Sequence, residues 1–377
     1  MSGKKVKILM VLDNTGRGGS QSFVMNVIRN IDKEKFQFDI AITRNKLGGF
    51  DEEMEALGCK IYNLEHFEVT NYRRFVNCWE NFLTEHHFDI IHGHVSSTAS
   101  IYLRVARMHG CSTIVHSHSA GYRGGWFEQQ VKKLFTIRAA KYADLWFACS
   151  DKAAERLFGK KFKESSRYHY IPNAIDVKKY LFNEEVRNMV RIKIGVEQDK
   201  FICGHVGTFS TPKNHKFLLQ VFKKIKEKRS DSKLLLVGDG YLHDTVVQMI
   251  EENGLKDDVI MTGSVSDVNN YLMAMDVLVF PSLFEGLPVT VVEAQAAGLP
   301  VVVSDVITRD VFLTDLVTYK PLSDSAEDWS VVVLGKRCKE RKVYNERVAS
   351  TVFNMRTSVK QLGELYLGLV KNRKLKI

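Results

Sequence analysis

Glu285 and Glu293 are the residues whose type and spacing most clearly predict chemistry, since two carboxylates stand eight positions apart within a largely apolar segment, 277–305. Between them, a loop with Gly286 and Pro288 leads into a predicted helix. Free backbone N–H groups at the start of such a helix attract phosphate. Glu293, one or two turns further along, could then reach a hydroxyl-bearing ligand. The segment predicts a nucleotide-sugar site.

The two carboxylates also have a plainer interpretation, as a capping residue and a helix residue that faces solvent. The neighbours of Glu293 argue against it, because Val291, Val292 and Ala294 are all apolar. A carboxylate in such a run is more often paired or ligand-bound than idle.

Lys213 is the candidate cation. The motif with Gly207 and Thr208 ends a predicted strand, and Lys213 then stands beside a predicted helix start. It could neutralise a diphosphate there, or it could be an ordinary exposed lysine. Gly238 follows the next predicted strand, where glycine permits a positive φ or the close approach of a ligand. An ordinary strand-to-helix turn is the alternative.

A glycine-rich turn follows the first predicted strand, at 15–21. Gly16 and Gly18 fit a dinucleotide-binding fingerprint, but Gln21 occupies the third glycine position, and no P-loop sequence follows. The turn could bring backbone close to an acceptor or a donor phosphate, or it could be only a tight connection.

Two His-x-His pairs, His92/His94 and His116/His118, lie at predicted strand ends. Alternate residues share one face of a strand, so each pair could chelate a metal. No carboxylate pattern completes such a site, and the sequence predicts no metal. Contact with a sugar hydroxyl is possible for a neutral imidazole, but a structural role is favoured for His92, His94 and His116.

At 377 residues the chain is too long for one typical core, so two domains are predicted. Its composition, 45% hydrophobic and 26% charged residues, is ordinary for a globular protein. The formal net charge is +10, and residues 1–172 hold 25 Lys and Arg against 18 Asp and Glu. Such a basic half could attract nucleic acid, anionic lipid or a phosphorylated substrate, or be a solvated surface. The segment 122–167, basic with interleaved aromatics, could rest on anionic lipid; otherwise its aromatics are core.

The six cysteines form no C-x-x-C pair, so neither a zinc ribbon nor a redox pair is predicted. The N-terminus does not resemble a signal peptide, and no stretch of about 18 apolar residues predicts a membrane-spanning helix. We therefore expect a cytoplasmic protein with reduced thiols.

Short apolar runs alternate with longer amphipathic ones, which predicts βαβ units with parallel sheets. The predicted strands are 7–12, 38–43, 60–64, 90–92, 113–116, 145–149, 201–206, 233–237, 259–262, 277–280 and 301–304. The predicted helices are 20–30, 51–57, 72–86, 97–109, 126–141, 214–228, 241–253, 268–274, 289–297 and 357–373. A linker is predicted at 170–180. The pattern indicates two doubly wound domains that hold a ligand between them, beyond the carboxyl ends of their strands.

These motifs, in their order along the chain, resemble the family 4 retaining glycosyltransferases of the GT-B fold, and most closely bacterial enzymes of exopolysaccharide or capsule synthesis. The motifs are RGGSQ, VHSHSAG, ACSD, YIPNAID, GTFSTPKNH, LVGDG and PSLFEGLPVTVVEAQAAGLPVVVSD. The resemblance implies two Rossmann-like domains facing a cleft: an acceptor-binding domain at 1–172 and a donor-binding domain at 173–355. A last helix at 356–377 would cross back to the first domain.

The same resemblance implies roles for single residues. Glu293 would bind the ribose hydroxyls, and Glu285 would sit by the transferred sugar. Lys213 would bind the diphosphate and stabilise the departing charge, and His118 would contact the donor sugar near the reacting carbon. The remaining donor-binding positions are Gly18, Gly19, Gly207, Thr208, Gly238, Gly286 and Leu287.

Thr208 departs from the family pattern, in which many members carry an arginine on the diphosphate. Either Lys213 acts with helix N-termini, or Arg17 or Arg309 supplies the charge, or activity is reduced. A charge-assisted contact contributes about 1.5–3 kcal/mol, so its loss would slow transfer roughly 10- to 100-fold.

The function expected from this resemblance is retaining transfer of a hexosyl unit from a nucleotide diphosphate sugar, with UDP favoured, to a lipid diphosphate-linked saccharide at the inner membrane face. The enzyme would be a cytoplasmic protein, peripheral at the membrane, and would need no cofactor. No metal on the diphosphate is expected, because no Asp-x-Asp motif occurs. The alternatives are a sugar-nucleotide 2-epimerase of the same architecture, a dehydrogenase, and a non-catalytic sugar- or nucleic-acid-binding protein.

Overall fold

The computed structural model describes residues 4–16, 18–44, 48–118, 136 and 138–374, and the account below concerns these residues. The chain forms two compact units. One comprises Met1–Ala174 with Met355–Ile377, and the other comprises Ile175–Asn354. The roles predicted for the two domains, acceptor binding and donor binding, stay predictions.

The first unit is built on a seven-stranded sheet in the order β3-β2-β1-β4-β5-β6-β7, with every neighbouring pair parallel. Its strands are β1 Val6–Leu12, β2 Phe36–Ile42, β3 Ile61–Asn63, β4 Ile90–Gly93, β5 Ser112–Ser117, β6 Leu145–Ala148 and β7 Tyr168–Tyr170. Its helices are α1 Gly19–Asn30, α2 Asp51–Ala56, α3 Tyr72–Glu85, α4 Ala99–Met108, α5 Asp151–Phe158 and, from the end of the chain, α13 Met355–Lys374.

The second unit has a six-stranded parallel sheet in the order β10-β9-β8-β11-β12-β13. Its strands are β8 Phe201–Val206, β9 Ser232–Val237, β10 Val259–Met261, β11 Val277–Phe280, β12 Val301–Ser304 and β13 Val317–Lys320. Its helices are α6 Glu184–Lys193, α7 His215–Lys228, α8 His243–Glu252, α9 Val268–Ala274, α10 Val289–Ala296, α11 Ala326–Leu334 and α12 Arg341–Ala349.

Each sheet is buried on both faces, which explains the uninterrupted apolar character of its central strands. All residues of β8 and of β11 are buried, and a separate apolar cluster packs on each face of the second sheet. The strand order reverses between β1 and β4 in the first unit and between β8 and β11 in the second. Ligands of doubly wound sheets bind beyond the carboxyl ends of the strands at such a point.

The sequence analysis missed two strands, β7 and β13, and both lie at a sheet edge. Edge strands need fewer apolar residues: all three residues of β7 are only partly buried, as are three of the four in β13. It also missed four helices, α5, α6, α11 and α12. Most of the helix predicted at 126–141 lies outside the described residues.

The segment predicted as a linker, 170–180, contains the boundary between the two units, at Ala174 and Ile175. Ile171 and Ala174 belong to the core of the first unit, and Ile175 and Val177 to the core of the second. A 3-10 turn, Val177–Tyr180, ends the segment. Apolar residues of the linker thus belong to the core of the unit on their own side of the boundary.

The last helix, α13, is part of the first unit. Leu362 and Tyr366 have no exposed surface and belong to the cluster that covers one face of the first sheet. The Tyr366 ring lies 5.8 Å from that of Phe36, centroid to centroid, in an edge-to-face arrangement. Apolar burial therefore fixes this helix on the first sheet.

Two features of the described residues bear on cellular context. None of the helices there is both long enough and apolar enough to span a bilayer. The six cysteines all lie among the described residues and form no disulfide, and four of them are buried.

Gly298, just after α10, should be sensitive to substitution for two reasons. Its φ is +63°, and a Cβ at this position would lie 2.2 Å from the Arg341 carbonyl oxygen. Gly254 has a similar φ of +68°, but open space surrounds it. We expect Gly254→Ala to cost about 1 kcal/mol from backbone conformation alone, and Gly298→Ala at least about 3 kcal/mol because a backbone clash is added. Urea unfolding of both variants measures this difference, and equal costs would contradict it.

Candidate active site

Two hydrogen bonds hold the turn after β8 and the loop after β11 together. They lie at the point where the second sheet reverses its strand order. The Leu283 N–H donates to the Pro212 carbonyl at 2.8 Å, and the Asn214 side-chain amide donates to the Pro281 carbonyl at 3.1 Å. Asn214 has a φ of +57°, in the left-handed region that asparagine tolerates. A 3-10 turn, Thr211–Lys213, precedes it, so Lys213 ends this turn two residues before α7.

Lys213 and Glu285, which these ties bring together, form an ion pair with 2.7 Å between Nζ and Oε1. The side chains are only 17% and 15% exposed, so water screens their attraction less than it would at the surface. The Lys213 ammonium also lies 4.7 Å from the centroid of the Phe280 ring. A partly dehydrated cation is thus fixed beyond the carboxyl ends of β8 and β11, with one carboxylate as its partner.

Glycines shape the space beside Lys213. Gly238 has a φ of +138°, and a Cβ there would lie 2.1 Å from the carbonyl oxygen of Gly207. A Cβ on Gly207 would lie 3.0 Å from Cε of Lys213. Thr208 is exposed, and its carbonyl accepts a hydrogen bond from the Ser210 hydroxyl. Both glycines are therefore required by close packing of the two loops around the lysine, whether or not a ligand is bound.

Glu293 lies in α10, and its carboxylate accepts a hydrogen bond of 2.7 Å from the Tyr180 hydroxyl. Burial raises the pKa of Glu293, and the hydrogen bond from Tyr180 opposes that shift. Burial, together with the nearby Glu293, raises the pKa of Tyr180. Glu293 was expected to be paired or bound to a ligand. Its partner within the protein is the Tyr180 hydroxyl, which the sequence analysis did not identify.

Gly286 and Leu287 connect Glu285 to α10. Open space surrounds Gly286, whereas Leu287 packs against the core of the second unit. Pro288 precedes the helix, and no side chain caps the first turn. Of the residues predicted to bind the donor, the second unit therefore places Lys213 and Glu285 in contact, with Gly207 and Gly238 packed around the lysine.

Arg17 and Arg309 were the cations suggested to replace the missing arginine at Thr208. Arg17 lies outside the described residues. Arg309 is exposed, and its guanidinium stacks 3.5 Å from the centroid of the Tyr319 ring. The structure thus gives Arg309 another partner, Tyr319.

The other predicted site residues, Gly18, Gly19 and His118, belong to the first unit. Gly18 caps α1 with extended backbone, and a Cβ there would lie 2.5 Å from Oε1 of Gln21. Gln21, which replaced the third glycine of a fingerprint, donates from its amide to the Asn14 carbonyl at 3.2 Å. The turn is therefore fixed by side-chain hydrogen bonds around its glycines.

His118 directly follows β5 and is one of four neighbouring histidines. Its Nε2 lies 2.8 Å from Nδ1 of His94, and its ring centroid lies 4.0 Å from that of His116. Phe23 of α1 packs against these rings. Burial lowers the pKa of His118 to about 3, so the imidazole is neutral at pH 7.

The possibility that His92 or His116 contacts a sugar is excluded by burial, since neither side chain has exposed surface. Strand position predicted a shared face but could not reveal that this face is covered. The sequence analysis also did not identify Tyr180 and Phe280 as site residues. Their roles depend on contacts with residues distant in sequence, Glu293 for Tyr180 and Lys213 for Phe280. The only indication for Tyr180 was its position at the end of the quoted segment YIPNAIDVKKY.

Comparison with solved structures defines the class of protein. The crystal structure of Anabaena Alr3699/HepE in complex with UDP superposes with a TM-score of 0.76 at 16% sequence identity, covering 97% of this chain and 100% of that one. At this identity the likeness concerns the fold alone. Together with the two parallel-sheet units, it makes this a GT-B fold, as the sequence analysis predicted.

The family follows from the sequence comparisons. The model of Glycosyltransferase Family 4 matches residues 17–179, and that of Glycosyl transferases group 1 matches residues 186–318. A Bacillus subtilis (strain 168) protein named as a glycosyltransferase, EpsF, is 32% identical over 375 residues, which are 97% of each chain. The chain belongs to this family of glycosyltransferases, and it is a transferase.

Two further relatives carry more specific names. One is the UDP-Gal:alpha-D-GlcNAc-diphosphoundecaprenol alpha-1,3-galactosyltransferase of Escherichia coli, 26% identical over 77% of this chain and 78% of that protein. The other is the capsular polysaccharide biosynthesis glycosyltransferase CapH of Staphylococcus aureus, 23% identical over 96% of this chain and 99% of that protein.

Two buried histidines near Lys213 predict how stability depends on pH. Burial lowers the pKa of His205 to about 3 and that of His215 to about 4, whereas the ordinary value is 6.5. Below that value the unfolded chain binds protons that the folded chain does not, so stability falls as the pH drops from about 6.5 towards 4. We expect His215→Phe to remove about 2 kcal/mol of the loss between pH 7 and pH 5.

Urea unfolding of the unsubstituted chain and of His215→Phe at both pH values measures this change. His87→Phe, at an exposed position, is the control and should differ from the unsubstituted chain equally at both pH values. A pH-independent difference for His215→Phe would contradict the assignment of a buried neutral imidazole.

Proposed function

We propose that this glycosyltransferase transfers a hexosyl unit from a UDP-sugar, with retention at the anomeric carbon, to a lipid-linked saccharide in exopolysaccharide or capsule synthesis. The observation that carries the proposal is the Lys213–Glu285 pair at the switch point of the second sheet. The names of the E. coli and S. aureus relatives support the lipid-linked acceptor and the capsular context. The UDP bound by HepE supports the choice of nucleotide.

The chemical problem is the charge that develops on the departing diphosphate. Lys213 is held by the turn after β8, and it is already partly dehydrated, so it needs little reorganisation to accept a phosphate oxygen. The diphosphate would take the ammonium over from Glu285, and that carboxylate would be freed to accept hydrogen bonds from sugar hydroxyls. The exchange keeps the cation paired before and after donor binding.

Glu293 would accept hydrogen bonds from the ribose hydroxyls, since the Tyr180 hydrogen bond orients its carboxylate. In the proposed retaining reaction the leaving phosphate takes the proton of the acceptor hydroxyl. This route requires no protein base, since the Glu285 carboxylate, once released by Lys213, would be occupied by the hydroxyls of the sugar. An active site closed to water would protect the oxocarbenium-like centre from hydrolysis.

We include a membrane in the proposal only because the proposed acceptor is lipid-linked. A lipid-linked saccharide presents its reacting hydroxyl at a membrane surface, and the basic residues of the first unit would favour approach to anionic lipid. The enzyme would then act as a peripheral protein at the inner face of the cell membrane.

The test of the function is a thermal-shift screen with UDP-, GDP- and ADP-sugars, followed by turnover with the best binder and a lipid diphosphate-linked saccharide. We expect stabilisation by UDP-sugars and a product whose anomeric configuration, read by NMR, matches the donor. Release of a new sugar from UDP-GlcNAc without acceptor would instead indicate the epimerase. Inversion, or preference for another nucleotide, would contradict the corresponding part of the proposal.

Lys213→Met removes the charge at similar length, and we expect it to reduce kcat/KM at least about 100-fold, because a charge-assisted contact is lost in the transition state. Glu285→Gln should also reduce turnover but leave UDP binding nearly intact, since the diphosphate then meets an uncommitted ammonium. Steady-state kinetics and UDP titration calorimetry separate the two effects.

The control for these variants is Lys216→Met, at an exposed position in the first turn of α7. It should keep the activity of the unsubstituted enzyme, and urea unfolding should show that all three variants are folded. Near-normal kcat/KM in Lys213→Met would refute the role of the ammonium.

Tyr180→Phe removes only the hydroxyl that orients Glu293. We expect KM for the donor to rise roughly 5- to 20-fold with little change in kcat, because a neutral or charge-assisted hydrogen bond contributes about 1–2 kcal/mol to binding. Tyr271→Phe is a matched control, since the Tyr271 hydroxyl also holds a hydrogen bond, with Lys193 at 3.0 Å. Equal KM values for both variants would remove Tyr180 from the donor site.

A further inference from the structure

Four histidines of the first unit, His92, His94, His116 and His118, lie next to one another, and only His118 was expected to contact the donor. β4 pairs in parallel with β5, with His92 opposite Ile114, so the alternate residues His92, His94 and His116 point to one face of the sheet. One ring nitrogen from each of these three histidines lies within 4.8 Å of the other two. All three side chains are buried.

The hydrogen bond of His116 fixes its tautomer. Its Nε2 lies 3.2 Å from the carbonyl oxygen of Ile171, and because a carbonyl only accepts, Nε2 must carry the proton. Nδ1 is then a bare lone pair. This atom is buried and has no hydrogen-bond partner among the described residues.

His92 shows the same arrangement with its nitrogens exchanged. Its Nδ1 lies 2.8 Å from the Tyr366 hydroxyl, and its Nε2 is buried, likewise without a partner in the part of the chain that the structure describes. The Tyr366 hydroxyl can donate to Nδ1 or accept from it, and Nε2 is a second bare lone pair in the tautomer whose Nδ1 carries the proton. Tyr366 lies in α13, so a helix from the end of the chain orients this ring.

His94 completes the group. Its Nδ1 is 2.8 Å from Nε2 of His118, and its Nε2 is 3.5 Å from the thioether sulfur of Met10. A buried polar atom without a partner costs about 1–3 kcal/mol, so two such nitrogens, neither partnered within the described residues, make a costly group unless something binds there. The bare Nδ1 of His116 can take only a hydrogen-bond donor or a cation.

Imidazole nitrogens whose other nitrogen is held by a carbonyl or hydroxyl are typical of metal ligands. Because Nε2 of His116 carries the ring proton, a cation would not have to displace a proton from Nδ1 of that ring. An all-imidazole set favours Zn²⁺, Ni²⁺ or copper over Mg²⁺ or Ca²⁺, which require oxygen ligands.

We propose that His92, His94 and His116 form a site for a transition-metal ion of the Zn²⁺ class in the first unit, oriented by Tyr366 and the Ile171 carbonyl. The three rings would draw together by small side-chain movements to the distances a metal requires. The ion would link β4 to β5 and, through Tyr366, to α13, and it would therefore stabilise the first unit. The site is independent of the donor chemistry proposed for the second unit, where no metal on the diphosphate is expected.

The test uses the full chain without a polyhistidine tag, after treatment with a chelator. Co²⁺ binding is followed by visible absorption, which reports tetrahedral nitrogen coordination, and Zn²⁺ affinity is measured by competition with a chromophoric chelator. We expect one tight equivalent, a rise in Tm with Zn²⁺, and no rise with Mg²⁺. Absence of a tight equivalent would overturn the proposal.

The variants His92→Phe and His116→Phe keep an aromatic ring but remove the ligand nitrogen, and each should weaken Zn²⁺ binding at least about 100-fold. Tyr366→Phe should weaken it about 10- to 100-fold, because it only removes the group that orients His92. His215→Phe, a buried histidine of the second unit, is the matched control and should leave the affinity unchanged.

Two outcomes would contradict the assignment. If zinc affinity in His92→Phe and His116→Phe equals that of the unsubstituted chain, the metal is bound elsewhere, for example at cysteines. If all variants, His215→Phe included, lose binding equally, the effect is general destabilisation. Urea unfolding in the absence of metal verifies that the compared variants are folded, and Tyr366→Phe supplies a graded effect that loss of the fold would not produce.

Discussion

The contact between Lys213 and Glu285 is the interaction on which the account of the second unit depends. These residues are far apart in sequence, and they meet because β8 and β11 are neighbours at the point where the sheet reverses its strand order. Two hydrogen bonds, one between backbone groups and one from the Asn214 side chain to the Pro281 carbonyl, hold the loops that carry them. The pair keeps an ammonium partly dehydrated and fixed without a donor, which is the electrostatic preparation that departure of a diphosphate requires.

The packing around this pair explains why residues from separate sequence motifs are needed at one site. Gly207 and Gly238 allow two loops to approach each other and leave room for the lysine side chain. Tyr180, from the segment between the units, orients Glu293. The first unit repeats the principle with other chemistry, since histidines collect towards the carboxyl ends of β4 and β5, beside its own reversal of strand order. In both units, polar groups gather at this end of strands that are mainly apolar.

Much of this could be predicted from sequence, and the limits have physical causes. Strands such as β8, β11 and β12 were predicted correctly because a strand buried on both faces is a continuous apolar run. The edge strands β7 and β13 lack that signal. The types and positions of Lys213 and Glu285 were recognised, but not their ion pair, because local spacing contains no information on which loops a sheet brings together. The same holds for Tyr180 with Glu293 and for Tyr366 with His92.

A crystal structure of the protein with UDP tests the central claim most directly. The account predicts that Nζ of Lys213 leaves Glu285 for a phosphate oxygen, at hydrogen-bonding distance, while the Glu293 carboxylate contacts the ribose hydroxyls of the same nucleotide. A bound nucleotide that lies out of reach of both side chains, with Lys213 still paired only to Glu285, would contradict it.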